Sequence, residues 1–320
     1  MSTSEELQLE TGQVIGGYRL EGLVGRGGMG VVYKALQEKL DRHVALKIIH
    51  PKRLGRQEAI NKFVHEAKVA AGLSHPRLVQ VLDVGKDEAT GLYYYSMQLV
   101  VGKTLTVTVQ QEGTLPWERA AQILLQVADG MGHAHARGLV HRDLKPDNVL
   151  IDGNDNVMIT DLGLALDSMA GRMTGSKRIL SLVGTPEFSA PEQLRNPDMA
   201  VTASDVFSMG AILYFMLTGA TPFMGVSLLD LVVAVAVDEP RLLADMTEPA
   251  QGLIRRLMGK RVEERPRDGQ AVYEMLRDYF EGRSGGTGRH TGRHSSASGR
   301  GSARGGGGGT ARIKRRRRRR

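Results

Sequence analysis

Three polar side chains, Asp143, Lys145 and Asn148, fall within six residues of one another, and a second carboxylate, Asp161, follows shortly after. They sit in the run His141-Arg142-Asp143-Leu144-Lys145-Pro146-Asp147-Asn148-Val149-Leu150. Pro146 disfavours helix at the residue before it, so the run reads as a loop able to aim several polar heads at one point. A carboxylate such as Asp143 can take a proton from an attacking hydroxyl. The Lys145 ammonium can neutralise phosphate charge, and the amide oxygen of Asn148 suits a hard cation. Asp161 stands in Ile159-Thr160-Asp161-Leu162-Gly163.

The elements that must position these groups are legible around them. Residues 117–138 carry Ala120, Ala121, Ile123, Leu124, Val127, Ala128, Met131 and Ala134 at helical spacing and deliver the loop. Earlier, Gly25-Arg26-Gly27-Gly28-Met29-Gly30-Val31-Val32 has the form Gly-x-Gly-x-x-Gly-x-Val. Glycines let a backbone turn sharply and bring its N–H groups near phosphate. A dinucleotide-binding fold would place a helix directly after the glycines. Residues 31–35 favour a strand instead, so the glycines belong to a β-hairpin. Residues 44–49 form an apolar strand with one lysine, Lys47, which is costly to half-bury unless it is paired. Residues 57–73 have helical spacing and hold two glutamates, Glu58 and Glu66. Residues 75–81 and 93–101 read as further strands of a small antiparallel sheet.

Taken together these motifs resemble the protein kinases, in the order that family has them and across most of the chain. The glycine run is similar to the phosphate-covering lid. Residues 44–47 are similar to the strand that carries the phosphate-binding lysine, 141–148 to the catalytic loop, and Asp161-Leu162-Gly163 to the metal-binding Asp-Phe-Gly. Gly184-Thr185 and Ala190-Pro191-Glu192 resemble the end of an activation loop. The resemblance implies an α+β, two-lobed protein kinase fold: a small antiparallel-sheet lobe with one main helix (about 16–101) and a larger helical lobe (about 102–282). It implies ATP and Mg²⁺, or Mn²⁺ in its place, as cofactors. Asp143 would be the base, Lys145 would stabilise γ-phosphate charge, and Asn148 and Asp161 would hold metal. Lys47, fixed by Glu66 rather than Glu58, would hold the α/β-phosphates. Val24, Gly25, Arg26, Gly27, Gly28, Met29, Gly30, Val32, Ala45, Met97 as gatekeeper, Gln98 and Val100 would line the nucleotide site, with Leu99 also in the hinge. Lys145, two residues after the base, points to Ser/Thr specificity, and the lid with Met29 is similar to bacterial Hanks-type kinases.

By the same resemblance Asp205 holds the catalytic-loop backbone, Arg265 pairs with Glu192, and Arg142 receives a loop phosphate. The chain departs from the family at two places. Leu162 replaces Phe but keeps an apolar plug. The usual activation-loop threonines are replaced by Lys177 and Ile179, leaving Thr174, Ser176 and Ser181 as acceptors, with Thr185 read as a partner of Asp143 and Lys145. The family role implies intracellular signalling with protein substrates and autophosphorylation, in trans within a homodimer. The alternatives are a nucleotide-binding pseudokinase scaffold, which usually lacks one of the Lys, Asp or Asn present here, and a signalling protein tethered by its polyanion-binding tail.

Composition bounds the rest. The 320 residues include no cysteine, which excludes disulfides and thiolate chemistry. His133, His135 and His141 lack a carboxylate or thiolate to complete a metal set and read as structural. The polar, acidic start lacks the features of a secretory signal, and the apolar runs at 209–217 and 231–237 are too short to cross a bilayer, so the chain reads as cytoplasmic. Net charge is +8, yet residues 283–320 hold 13 Lys and Arg and no acid, leaving residues 1–282 mildly acidic. Residues 1–15 read as a flexible extension. Residues 283–320, rich in Gly, Ser and Arg and ending in six arginines, cannot bury enough apolar surface to fold. Such a tail is attracted to nucleic acid, an anionic membrane surface or acidic proteins, without reading bases because no aromatic residue interleaves it.

Overall fold

The computed structural model describes residues 9–27, 30–50, 54, 57–163 and 186–282. Gly28 and Met29, Thr174, Ser176, Ser181, Thr185 and the basic tail lie outside the described residues.

The first part of the chain is a six-stranded antiparallel sheet in the order β1–β2–β3–β4–β6–β5. Its strands are β1 (Val14–Ile15), β2 (Tyr18–Gly27), β3 (Gly30–Gln37), β4 (Arg42–Ile49), β5 (Val81–Lys86) and β6 (Tyr93–Gln98). The glycine run joins β2 to β3 as an antiparallel hairpin, in register Gly27↔Gly30 and Gly25↔Val32. At Gly30 a Cβ would lie 2.1 Å from the Ile48 carbonyl oxygen, so close approach of β3 to β4 requires glycine there. Helix α1 (Gln57–Ala71) buries Phe63, Ala67 and Ala70 against Ala45, Ile49, Val81, Tyr95 and Met97 of the sheet.

Two boundaries differ from the sequence expectation. Residues 75–80 do not join the sheet. Leu78 makes an isolated bridge to Ile159, and the Val79 amide donates to the Ile159 carbonyl at 2.9 Å. The stretch therefore runs between the lobes, and its alternating apolar residues serve two different partners. Strand β6 ends at Gln98 rather than at 101, where pairing with β4 stops.

The second lobe begins with β7 (Lys103–Thr104), which forms a small sheet with β8 (Val149–Ile151) and β9 (Val157–Ile159) in the order β7–β8–β9. Its helices are α2 (Leu105–Glu112), α3 (Trp117–His135), α4 (Pro191–Arg195), α5 (Thr202–Thr218), α6 (Leu228–Val237), α7 (Glu248–Leu257) and α8 (Gly269–Phe280). Helix α3 stops at His135, before the expected 138, because the chain turns through Gly138 at φ +75°. The lobe's core forms where Leu124, Val127, Ala128 and Met131 of α3 meet Val206, Met209, Ile212 and Leu213 of α5 and Val272 and Leu276 of α8. Gly132 and Gly269 face each other: a Cβ on Gly269 would lie 2.5 Å from the Gly132 nitrogen, so α3 and α8 touch backbone to backbone. The single tryptophan, Trp117, donates its indole N–H to the Tyr279 hydroxyl at 2.8 Å, tying the start of α3 to the end of α8.

A buried ion pair closes this lobe. Arg265 meets Glu192 through both terminal nitrogens, at 2.8 and 2.9 Å, and also donates to the carbonyls of Ala203, Gly259 and Lys260. Ser204 donates to Glu192 Oε1 at 2.6 Å. Every donor has a partner, as a buried guanidinium requires. Burial would raise the Glu192 carboxyl, but Arg265 and Ser204 outweigh it and hold the carboxyl below its usual range. Arg265→Ala strands a buried carboxylate and should destabilise the chain by about 3–5 kcal/mol in denaturant unfolding. Because the folded carboxyl titrates low, its stabilisation is fully present above the ordinary value of 4.5 and is lost as pH falls through the depressed folded value. The stability gap between wild type and Glu192→Gln should therefore be flat above that pH and narrow below it.

Candidate active site

The catalytic-loop candidates are held from below by one buried carboxylate. Asp205, 1% exposed, lies in the first turn of α5 but does not cap that helix. Its Oδ2 accepts from the His141 backbone N–H at 2.7 Å and its Oδ1 from the Arg142 N–H at 3.0 Å. His135 Nε2 donates to Oδ2 at 2.9 Å, while His135 Nδ1 accepts from the Gly269 N–H at 2.9 Å, which fixes its tautomer. These bonds keep Arg142 at φ +67°, a left-handed conformation that a non-glycine residue adopts at a cost. His141 is fully buried: Nδ1 accepts from the Asp143 N–H at 3.3 Å and Nε2 donates to the Thr160 carbonyl at 3.0 Å. Both His135 and His141 spend both ring nitrogens on the fold. Among the described residues no group of three His, Asp or Glu is arranged to hold a metal.

The loop brings its polar heads together as expected. The Lys145 ammonium lies 2.9 Å from Asp143 Oδ2 and 3.1 Å from Oδ1. The Asn148 amide nitrogen donates to the Asp143 carbonyl at 2.7 Å, which orients the side chain and leaves the amide oxygen as its other end. Residues Pro146–Asn148 form one 3₁₀ turn rather than an open loop, because a proline is tolerated at the first position of a helix. The Thr160 N–H donates to the Asn148 carbonyl at 3.0 Å, holding the strand that leads to Asp161 against this turn.

Asp161 stands at φ +63°, a left-handed conformation like that of Arg142. Lys47 is buried and meets Asp161 Oδ2 at 2.7 Å, and the Tyr95 hydroxyl donates to Oδ1. Burial would raise the Asp161 carboxyl, but the Lys47 charge, with hydrogen bonds from Lys47 and Tyr95, holds it below its usual range. Glu66, expected to fix Lys47, does not meet it in this structure. Its Oε1 lies 3.0 Å from Arg142 Nη1 instead. The charges are shared differently: the lysine goes to the carboxylate expected to hold metal, and the glutamate to the arginine expected to receive a loop phosphate. Neither sub-pair leaves a formal charge alone, although Glu66 Oε2 and Arg142 Nε are buried without a partner. Burial raises the Glu66 carboxyl, partly offset by Lys62 and Arg142.

Between the lobes, Ala45 and Met97 are buried beside each other as cross-strand partners, and Val32, Leu99 and Val100 pack against the same cluster. Leu150 and Met158 complete this apolar lining from the second lobe. Sequence reading missed both, although Leu150 lies only two residues past Asn148 in β8. Gln98 is exposed, its N–H donating to the Gln80 carbonyl. Val24, Gly25, Arg26 and Gly27 lie on β2 at the lid, with Gly30 across the hairpin on β3. Sequence reading also missed Tyr95. Its buried ring looks like an ordinary core position, and nothing in the strand pattern marks its hydroxyl.

The donor set suits a hard cation. Asp161 and Asn148 offer carboxylate and amide oxygens, and because no group of three His, Asp or Glu is arranged for a metal among the described residues, the remaining ligands would be water and phosphate oxygens.

The family profile described as "Protein kinase domain" matches residues 18–277. This chain belongs to the protein kinase family. The chain is 33% identical over 283 residues to a probable serine/threonine-protein kinase, pknA2, of Bifidobacterium longum, covering 86% of this chain and 36% of that one. It is 36% identical to serine/threonine-protein kinase PrkC of Bacillus subtilis, over 67% of this chain and 32% of that protein. Against PknL of Mycobacterium tuberculosis it is 36% identical over 74% of this chain and 57% of the relative. The chain thus spans about a third to little more than half of these curated relatives. The crystal structure of the Mycobacterium tuberculosis PknI kinase domain superposes with a TM-score of 0.68 at 23% identity, covering 85% of this chain and 99% of that one. The sheet-plus-helical two-lobed kinase fold and the bacterial serine/threonine kinase resemblance both stand. No described helix of this kinase domain is long and apolar enough to cross a membrane.

Asp205→Asn keeps one acceptor oxygen but turns an amide toward N–H donors. It should cost about 2–3 kcal/mol in denaturant unfolding, the scale of hydrogen bonds to a charged group. It should also lower activity beyond the loss of folded protein, because the loop backbone loses its anchor.

Proposed function

We propose that this chain is a serine/threonine protein kinase that transfers the ATP γ-phosphoryl group to a Ser or Thr hydroxyl of a protein. The convergence of Asp143, Lys145 and Asn148 at one point, together with the Lys47–Asp161 pair, carries the reading. Asp143 orients the acceptor hydroxyl and takes its proton. Lys145, already within hydrogen-bond reach of Asp143, stabilises the γ-phosphate charge, and Lys47 binds the α/β-phosphates. Asn148 and Asp161 would hold Mg²⁺, or Mn²⁺, which supplies charge neutralisation at the phosphates. The lid from Gly25 to Gly30 covers the phosphates, while Val32, Ala45, Met97 and the hinge from Gln98 to Val100 receive the adenine. Glu66 fixes Lys47 in the competent arrangement, which requires exchange of both ion pairs seen in this structure. The names of the relatives, serine/threonine kinases, and the retention of the Lys, Asp and Asn positions support catalysis over a scaffold role.

The matched span supports a kinase domain at 16–282 flanked by the extension at 1–15 and the basic tail at 283–320. We place the reaction in the cytoplasm, where ATP is available, with trans-autophosphorylation between two copies on Thr174, Ser176 or Ser181. The six terminal arginines would hold the chain to a polyanion.

Incubation of purified protein with Mg²⁺ and γ-labelled ATP should label Ser or Thr in the wild type. Asp143→Asn and Lys47→Met should each reduce labelling by at least about a hundredfold. Equal labelling in wild type and Asp143→Asn would overturn the reading. Retention on heparin should fall steeply with salt and vanish when residues 305–320 are removed.

A further inference from the structure

Lys47 on β4 and Tyr95 on β6 are direct cross-strand partners, and they reach the same carboxylate. The lysine takes Asp161 Oδ2 and the tyrosine hydroxyl takes Oδ1, so both oxygens are turned toward the first lobe. Asn148, expected to share a cation with Asp161, is held by the Asp143 carbonyl. The Tyr95 side chain is fully buried, with its ring against Phe63 of α1 and the Lys47 ammonium 5.9 Å from its centre. Packing alone would be served by a phenyl ring. The hydroxyl adds a buried polar group that must have a partner, and Asp161 is that partner.

We infer that Tyr95 is a positioning residue which holds the Asp161 carboxylate against the first lobe, so that a divalent cation must take this ligand in competition with the tyrosine hydroxyl. The inference rests on the reading of Asp161 and Asn148 as the metal pair. The hydroxyl does two things to the carboxylate: it draws charge from Oδ1, and it ties Asp161 to a strand of the first lobe. Turning Asp161 Oδ1 onto a cation would leave a buried hydroxyl unpaired, so the clamp opposes metal entry through a desolvation penalty as well as through the bond itself. Through Phe63 the same tyrosine touches the helix that carries Glu66, so a shift of α1 that brings Glu66 to Lys47 also disturbs the ring that presents the hydroxyl.

The test is Mn²⁺ binding read by electron paramagnetic resonance, with a saturating non-hydrolysable ATP analogue and therefore no turnover. Tyr95→Phe keeps the ring and should bind Mn²⁺ about tenfold more tightly than wild type, on the scale of one hydrogen bond to a charged group. Tyr94→Phe, whose lost hydroxyl bonds the Gly16 carbonyl and not Asp161, should bind as wild type does. In turnover, the Mg²⁺ concentration giving half-maximal rate should fall in Tyr95→Phe. Should Tyr95→Phe fail to fold, Tyr95→Met fills the space with a flexible side chain and removes the same hydroxyl. Equal or weaker Mn²⁺ binding in the folded variant overturns the inference while leaving the kinase reading intact. Failure of the wild type to bind Mn²⁺ with the analogue overturns the metal-site reading itself.

Discussion

The catalytic side of this molecule hangs from the Asp205 carboxylate. A charge this deeply buried is tolerable only when its oxygens are met by donors, and here three N–H groups meet them: two from the catalytic-loop backbone and one from His135. Those bonds hold Arg142 in a left-handed conformation and thereby set where Asp143 begins. From there the geometry propagates by short links. His141 ties the loop to Thr160, Asn148 ties the turn to Asp143, and Thr160 precedes Asp161. Strain at one residue is paid for by a single well-solvated anion whose solvent is protein.

Above the loop, the charges are balanced in two pairs that differ from the expected one. Two cations and two anions have formed Lys47–Asp161 and Glu66–Arg142, where the kinase resemblance led us to expect Lys47–Glu66, with Asp161 and Arg142 left for other ligands. The present arrangement holds two ion pairs and the expected one a single pair, so the balance between them depends on what else each group touches. On the present side stands the Tyr95 hydroxyl. On the other stand ligands that would bring their own charge, nucleotide phosphates and a cation for Asp161 and Lys47.

Much of this could be read before any coordinates. The loop, the lid hairpin and the lysine strand were legible because their chemistry confines residue type and spacing together: glycine where β3 nears β4, lysine inside an apolar strand, asparagine three residues past a lysine. The Arg265–Glu192 pair and the Asp205 anchor were likewise legible from the family resemblance. What was not legible depends on distance in space without a local pattern. Nothing in residues 57–71 says whether Glu66 faces Lys47 or Arg142, since both lie within reach of the same helix face. Tyr95 was hidden because a strand reads only as inward or outward, and a buried tyrosine satisfies that pattern whether or not its hydroxyl has a task. Residues 75–80 misled because alternation fits a strand equally well when its two sets of apolar residues serve different lobes.

The meeting of α3 with α8 carries a consequence for how the chain is made. Gly269 lies 134 positions after His135 in sequence, yet its N–H fixes the histidine that in turn braces Asp205. Trp117 waits still longer for Tyr279, 162 positions away. Loops of that length close late, so the helices that emerge first from a ribosome lack the partner that orders their far end. The catalytic loop is synthesised at mid-chain but acquires its full brace only when the last helix of the domain has been made. A nascent chain halted before residue 269 would carry the loop and its Asp205 anchor but lack the Gly269 N–H that fixes His135.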